Sequence, residues 1–268
     1  MNNGSKLPPS RDVQNGRNIP AGGEGLGSTA IAIIVIAVVA VVIVGSVGAY
    51  LLFREIADDI GSYKYTESVE YEYPSESYTA LDVSNINGDI SIVGIEDIAV
   101  IDIDGQKRAH TEADLDDFEL SITEEDGTLV LEVVHEDDDW NEAMDLDIII
   151  PSDLVVRSAV SVNGDVSVLG VNSVANVRTT NGCVEVEVYS ADRDVTISST
   201  NGDVELYILT SLDATISIAT TNGAISLNDV PLNLTNDEPD YVSGTLNTGG
   251  YEIEIETANG DISLKALE

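Results

Sequence analysis

The sequence predicts an all-β chain: a β-solenoid or β-helix-like repeat domain preceded by a single transmembrane α-helix. Three observations predict it. A phrase built on Asn-Gly recurs six times in the second part of the chain. Apolar and polar residues alternate on both sides of each pair, the period of a strand with one buried face. One uncharged run, residues 29–53, lies near the N-terminus.

Residues 1–28 are rich in Gly, Asn and Ser and contain Pro8, Pro9 and Pro20. They predict a disordered tail. Residues 29–53 read TAIAIIVIAVVAVVIVGSVGAYLLF, without a charge. As a helix this run reaches about 37 Å, enough to span a bilayer with some tilt. Its length and the long polar stretch before it fit an uncleaved signal-anchor better than a cleaved signal peptide. Lys6, Arg11 and Arg17 precede the run and Arg54 and Lys64 follow it. That slim basic bias places the N-terminus inside and the large domain outside the cell. Residues 54–75, with Tyr63, Tyr65, Tyr71 and Tyr73, predict a short stalk.

Residues 76–268 predict the acidic β-repeat domain. The formal net charge of the chain is -38, and from Glu55 onward 7 basic residues face 47 acidic ones. Such a surface repels nucleic acid and anionic lipid heads, and stays soluble in strong salt. Cys183 is the only cysteine, which excludes an intramolecular disulfide and a thiolate metal cluster.

The corners of the repeat are Asn87-Gly88, Asn163-Gly164, Asn181-Gly182, Asn201-Gly202, Asn222-Gly223 and Asn259-Gly260. Between Asn163 and Asn222 the steps are 18, 20 and 21 residues. Two after each Gly stand Ile90, Val166, Val184, Val204, Ile225 and Ile262, and four after it another apolar residue. Four before each Asn stand Val83, Ala159, Val177, Ile197, Ile218 and Ile255. All share the inward parity. Asn85, Ser161, Thr179, Ser199, Thr220 and Thr257 share it too, so a row of small polar groups should line the inner side of the corner. Two architectures fit this parity. Asn-Gly is a strong hairpin signal, and six hairpins would make a β-sandwich or meander. Alternatively each phrase is one coil of a solenoid, with matched residues stacked into ladders. The near-constant step and the matched side chains favour the solenoid.

Residues 95–155 interrupt the repeat with ordinary strands, and Glu124–Gly127 predicts a hairpin turn. Residues 228–241 predict an edge loop carrying the sequon Asn233-Leu-Thr235, a glycosylation acceptor on an outside domain. The last phrase ends almost at once, at Glu268, which suggests an uncapped solenoid end with Lys265 and Glu268 as charged blockers.

With these phrases, the IIIPSDL segment before VSVNGDVSV, and the closing VSGTLNTGGYEIEIETANGDISL, the chain resembles the putative-adhesin family of bacterial and archaeal β-strand repeat proteins. The resemblance covers about residues 76–267. It implies an extended β-repeat fold tethered to a membrane helix, and it supplies no catalytic residues. Cys183 and Ala224 stand where the family phrase has Asp.

Little in the sequence carries chemistry. His110 and His135 stand outside any metal-ligand spacing and read as surface residues. No P-loop, GxSxG or strand-linked GxGxxG is present. No cofactor is expected. The strongest ligand expectation is weak calcium binding, at His135–Glu142 (HEDDDWNE) or at Asp102-Ile-Asp104-Gly105, both short of a full calcium loop. The sequence therefore points to a non-enzymatic cell-surface structural or adhesion module, with homo-oligomers expected at the solenoid end. An envelope-stress sensor or regulator with an outer ligand-binding domain is the other reading.

Overall fold

The computed structural model describes residues 63–135, 142–190 and 192–267. The expected tail, the expected membrane helix and residues 54–62 of the expected stalk lie outside the described residues. Among the described residues, no helix is long and apolar enough to cross a membrane.

Nineteen strands run along the described chain. They begin β1 (Tyr65–Pro74), β2 (Ala80–Ser84), β3 (Ile90–Ile95), β4 (Val100–Ala109), β5 (Phe118–Glu125) and β6 (Thr128–His135). There follow β7 (Ala143–Pro151), β8 (Val155–Val160), β9 (Val166–Leu169), β10 (Asn176–Arg178), β11 (Val184–Val188), β12 (Val195–Asn201) and β13 (Val204–Leu209). The last are β14 (Ala214–Asn222), β15 (Ile225–Asn228), β16 (Asn233–Asp237), β17 (Tyr241–Leu246), β18 (Tyr251–Asn259) and β19 (Ile262–Leu267). They form two sheets. Sheet 1 has the order β1-β4-β7-β3-β9-β11-β13-β19-β15, and sheet 2 the order β16-β17-β14-β18-β12-β10-β8-β2-β6-β5.

Each Asn-Gly phrase crosses from sheet 2 to sheet 1, so the pair is a corner and not a hairpin. Strands from successive phrases pair in parallel, with Val184 opposite Val166 and Val204, for example. A hairpin meander would pair them antiparallel. The dihedrals agree: a two-residue hairpin needs positive φ at both positions, and none of the corner Asn residues has it. Asp126-Gly127, with φ of 49° and 76°, is such a turn, and it joins β5 to β6 where the sequence predicted a hairpin.

The core lies between the sheets and is made of the predicted rows. Val83, Ala159, Val177, Ile197, Ile218 and Ile255 from sheet 2 are buried. So are Ile90, Val166, Val184, Val204 and Ile262 from sheet 1. Each contributes about 1.5–3 kcal/mol of burial when it is a Val or Ile. Ile225 and Leu227 are only half-buried, because β15 is the edge of its sheet.

The coils do not stack in sequence order. Their order is β6/β7, β2/β3, β8/β9, β10/β11, β12/β13, β18/β19, β14/β15. The first phrase is tucked between β6/β7 and β8/β9, and the last between β12/β13 and β14/β15. The first and the last Asn-Gly phrases are thus gripped by parallel ladders on two sides. This corrects three expectations. Residues 95–155 are not a mere interruption, since β6 and β7 make a coil whose Met144 N–H donates to Asn87 O at 2.9 Å. The last phrase is not an exposed end, and Lys265 sits within sheet 1 instead of guarding an edge. Finally, the stalk does not extend to residue 75: Tyr65–Pro74 is β1, in unbroken antiparallel register with β4.

Antiparallel strands finish the stack: β4 and β1 on sheet 1, β5 and then β17 and β16 on sheet 2. The expected edge loop at 228–241 contains the edge strand β16, with a bulge between Leu234 and Asn236.

Candidate functional site

The corner seam is the most ordered polar feature of the molecule. Asn163 Nδ2 donates to Asn87 Oδ1 at 2.7 Å and Asn181 Nδ2 to Asn163 Oδ1 at 2.7 Å. Asn201 donates to Asn181 at 2.8 Å, Asn259 to Asn201 at 2.8 Å, and Asn222 to Asn259 at 2.9 Å. The ladder follows the coil order, and every rung points the same way. Such chains polarise one another and favour a single register. All twelve predicted corner residues are brought together in this one seam.

The glycines permit it. A Cβ on Gly182 would stand 2.1 Å from Gly164 O of the neighbouring coil. The corner needs Gly for close backbone approach, not for a tight hairpin. Behind the glycines runs the predicted inner row. Ser161 Oγ donates to Gly88 O, Thr179 Oγ1 to Gly164 O, Ser199 Oγ to Gly182 O, Thr257 Oγ1 to Gly202 O and Thr220 Oγ1 to Gly260 O, at 2.8–3.0 Å. These buried hydroxyls satisfy corner carbonyls from within the coil stack.

A third row went unread in the sequence. Where an aspartate follows the corner Gly, at 89, 165, 203 and 261, it accepts the N–H of the matching residue one coil on. Asp89 Oδ1 takes the Asp165 N–H at 2.7 Å, Asp165 that of Cys183 at 2.6 Å, Asp203 that of Asp261 at 2.8 Å and Asp261 that of Ala224 at 2.8 Å. Asp145 opens the row by accepting the Asp89 N–H at 3.0 Å. Ala224 ends the stack, where no following coil needs a carboxylate. Cys183 offers none to Asp203, so the row divides there. Burial pushes Asp145 up to about 6, against the opposing pull of Arg108 at 2.7 Å.

The outer face of sheet 1 is acidic. Glu70, Asp104 and Asp147 stand opposite one another, as do Glu72 and Asp102. Burial first, then mutual repulsion, raises Asp102, Asp104 and Asp147. Further along, Glu185 faces Glu205 and Glu187 faces Tyr207. Glu185 is pushed up to about 6 by burial, then by Glu205 and Glu187, with Lys265 opposing. Lys265 donates to Glu205 at 2.7 Å.

Of the expected calcium residues, Asp102, Asp104 and Gly105 do not form a loop. Asp102 and Asp104 lie within extended β4 with Gly105 after them. Most of HEDDDWNE lies outside the described residues, and among the described residues no group of three His, Cys, Asp or Glu could hold a metal ion. His110 is exposed, as expected. His135 is not a surface residue: its side chain is 1 % exposed and stacks on Phe118 with centroids 5.3 Å apart. The parity Leu129-Leu131-Val133-His135 already pointed inward.

The outer face of sheet 2 is flat and rich in small hydroxyl groups. A shallow groove of about 400 Å³ crosses it, lined by Arg178, Thr196, Ser198, Thr200, Thr221 and Glu256 among others. In one register row Arg178 faces Ser198, which faces Glu256. Asn233, the sequon asparagine, is exposed on β16.

The profile of the Toastrack DUF4097 family matches residues 65–265, and the chain belongs to that family. No curated protein matches the chain. Among solved structures, a putative cell adhesion protein from Clostridium sporogenes is similar in fold. Its TM-score is 0.53 at 14% identity, over 76% of this chain and 100% of that one. A putative adhesin from Bacteroides fragilis aligns with a TM-score of 0.32 at 14% identity, over 75% of this chain and 97% of that one.

Proposed function

We propose that this Toastrack-family chain is a membrane-anchored, non-enzymatic adhesion module whose working surface is the outer face of sheet 2. The observation that carries the reading is the groove itself: small hydroxyls repeated from strand to strand around one cation, Arg178, and one carboxylate, Glu256. Such an array contacts a hydroxyl-rich polymer through many equivalent hydrogen bonds, each weak, that add by multivalency. The reading rests on the groove; the similar Clostridium sporogenes structure is that of a putative cell adhesion protein.

Two measurements test it. Beads carrying the full chain are expected to retain isolated envelope polysaccharide, and Ser198→Trp should abolish retention by filling the groove. Retention unaltered in the variant removes sheet 2 from the proposal. Residues 29–53 would supply the anchor and leave the β domain outside. Proteinase treatment of whole cells should then digest the β domain; its protection would refute the location. Self-association belongs to the same proposal, and would use the open edge of β15 and not the chain terminus.

A further inference from the structure

Asn-Gly is the dipeptide most prone to spontaneous deamidation, because an unbranched glycine lets its own backbone nitrogen reach the asparagine side chain. The chain places six such pairs in one seam. The seam protects five of them. Gly88, Gly164, Gly182, Gly202 and Gly260 donate their N–H groups to Asn163, Asn181, Asn201, Asn259 and Asn222 carbonyls at 2.8–3.1 Å. The nitrogen that would attack is thereby held in the plane of a stacked coil. Of the six corner asparagines, the five in these pairs also have a side-chain oxygen that accepts the next rung.

The sixth pair is different. Asn222-Gly223 belongs to β14/β15, the last coil of the stack. No coil follows it, and among the described residues no carbonyl accepts the Gly223 N–H. Asn222 donates to Asn259 Oδ1 and Ala258 O, but its own side-chain oxygen accepts nothing from a further asparagine. Both residues are exposed.

We infer that Asn222 is a selective site of spontaneous modification, the one corner of the seam open to deamidation. The Gly223 nitrogen attacks Asn222 Cγ and gives up its proton to solvent, solvent returns a proton to the side-chain nitrogen, and ammonia leaves as the succinimide closes. Water then opens the ring at either carbonyl and leaves aspartate or isoaspartate at position 222. The new carboxylate has no N–H to give Asn259, so the terminal rung is lost and the end coil is loosened. An interior corner must break two hydrogen bonds that Asn222-Gly223 does not make, which corresponds to about a tenfold or greater difference in rate.

The test is peptide-resolved mass spectrometry of the purified full chain, incubated folded and, in parallel, unfolded in denaturant at mildly alkaline pH. The tail pairs Asn3-Gly4 and Asn15-Gly16 are read as separate peptides. In the folded chain the Asn222 peptide should gain deamidated and isoaspartyl forms about tenfold faster than the other five corner peptides. In the unfolded chain all six should react at comparable rates, since Gly follows each. An interior corner reacting as fast as Asn222 in the folded chain overturns the inference. An equal preference for Asn222 in the unfolded chain overturns it too, because the stack would then not be its cause.

Discussion

Replacing Gly182 by Ala tests the corner directly. The new Cβ would lie 2.1 Å from Gly164 O, where ordinary contact begins at 3.4 Å, so the two coils must part by more than 1 Å. Among the hydrogen bonds that cross that step are Gly164 N–H to Asn181 O, Thr179 Oγ1 to Gly164 O, Asn181 Nδ2 to Asn163 Oδ1, and Cys183 N–H to Asp165 Oδ1. At about 0.5–1.5 kcal/mol each, their loss costs about 2–6 kcal/mol. Gly127→Ala is the matched control. Gly127 has φ of 76°, yet a Cβ there meets nothing closer than 3.6 Å. Its cost is only that of a left-handed residue, about 1–2 kcal/mol. Urea denaturation at fixed salt compares the two midpoints at equal slope. If Gly182→Ala costs no more than Gly127→Ala, the close-approach account of the corner is wrong.

Other consequences follow from the carboxylates. Glu185 and Asp145 are both raised to about 6 in the fold, from 4.5 and 3.8. A raised folded pKa means their contribution is fully present below the unfolded value and is lost as pH rises through 6. Thermal melts should therefore give a higher Tm near pH 4.5 than at pH 7, and Glu185→Gln should raise Tm at pH 7 while changing little at pH 4.5. A flat difference between the two pH values would contradict this. Cys183→Asp should supply the missing acceptor for Asp203 and join the divided aspartate row. Its gain is up to about 1 kcal/mol in strong salt and less in dilute buffer, where repulsion from Asp165 and Asp203 is unscreened; urea titration in both media reads the difference, and a gain that is larger in dilute buffer would refute the assignment.

The inward rows and the corner were legible because each is a period-two pattern anchored on an invariant pair. The buried row of small polar side chains from Asn85 to Thr257 was legible for the same reason. The coil β6/β7 was not, because no Asn-Gly stands in the sequence between its two strands. Its signal was nevertheless present. Asp145-Leu146-Asp147-Ile148 matches Asp89-Ile90-Ser91-Ile92 in type and in register. Aspartate in that place makes the bond its counterparts make, which is why Asp145, not the Asp102–Gly105 segment, was the informative carboxylate.

Coil order was illegible for a deeper reason. Phrases with the same side chains at the same positions fit any neighbour equally well, so the repeat cannot choose its own order. The unrepeated hairpins choose it. β17 pairs antiparallel with β14, and β16 with β17, which leaves the far edge of β14 open for β18. The last phrase then enters as the sixth coil, between two others. Removing residues 251–268 is therefore not the loss of an end. It extracts Ile253, Ile255, Ile262 and Leu264, all fully buried, together with four parallel ladders. Burial of those four side chains alone amounts to about 6–12 kcal/mol, as large as the whole stability of an ordinary domain. In a stack ordered by sequence, the same deletion would expose one coil face and leave the rest folded. The truncated chain should thus lose its cooperative urea transition, and a truncated chain that kept a cooperative transition with native circular dichroism would show that the last phrase sits at the end after all.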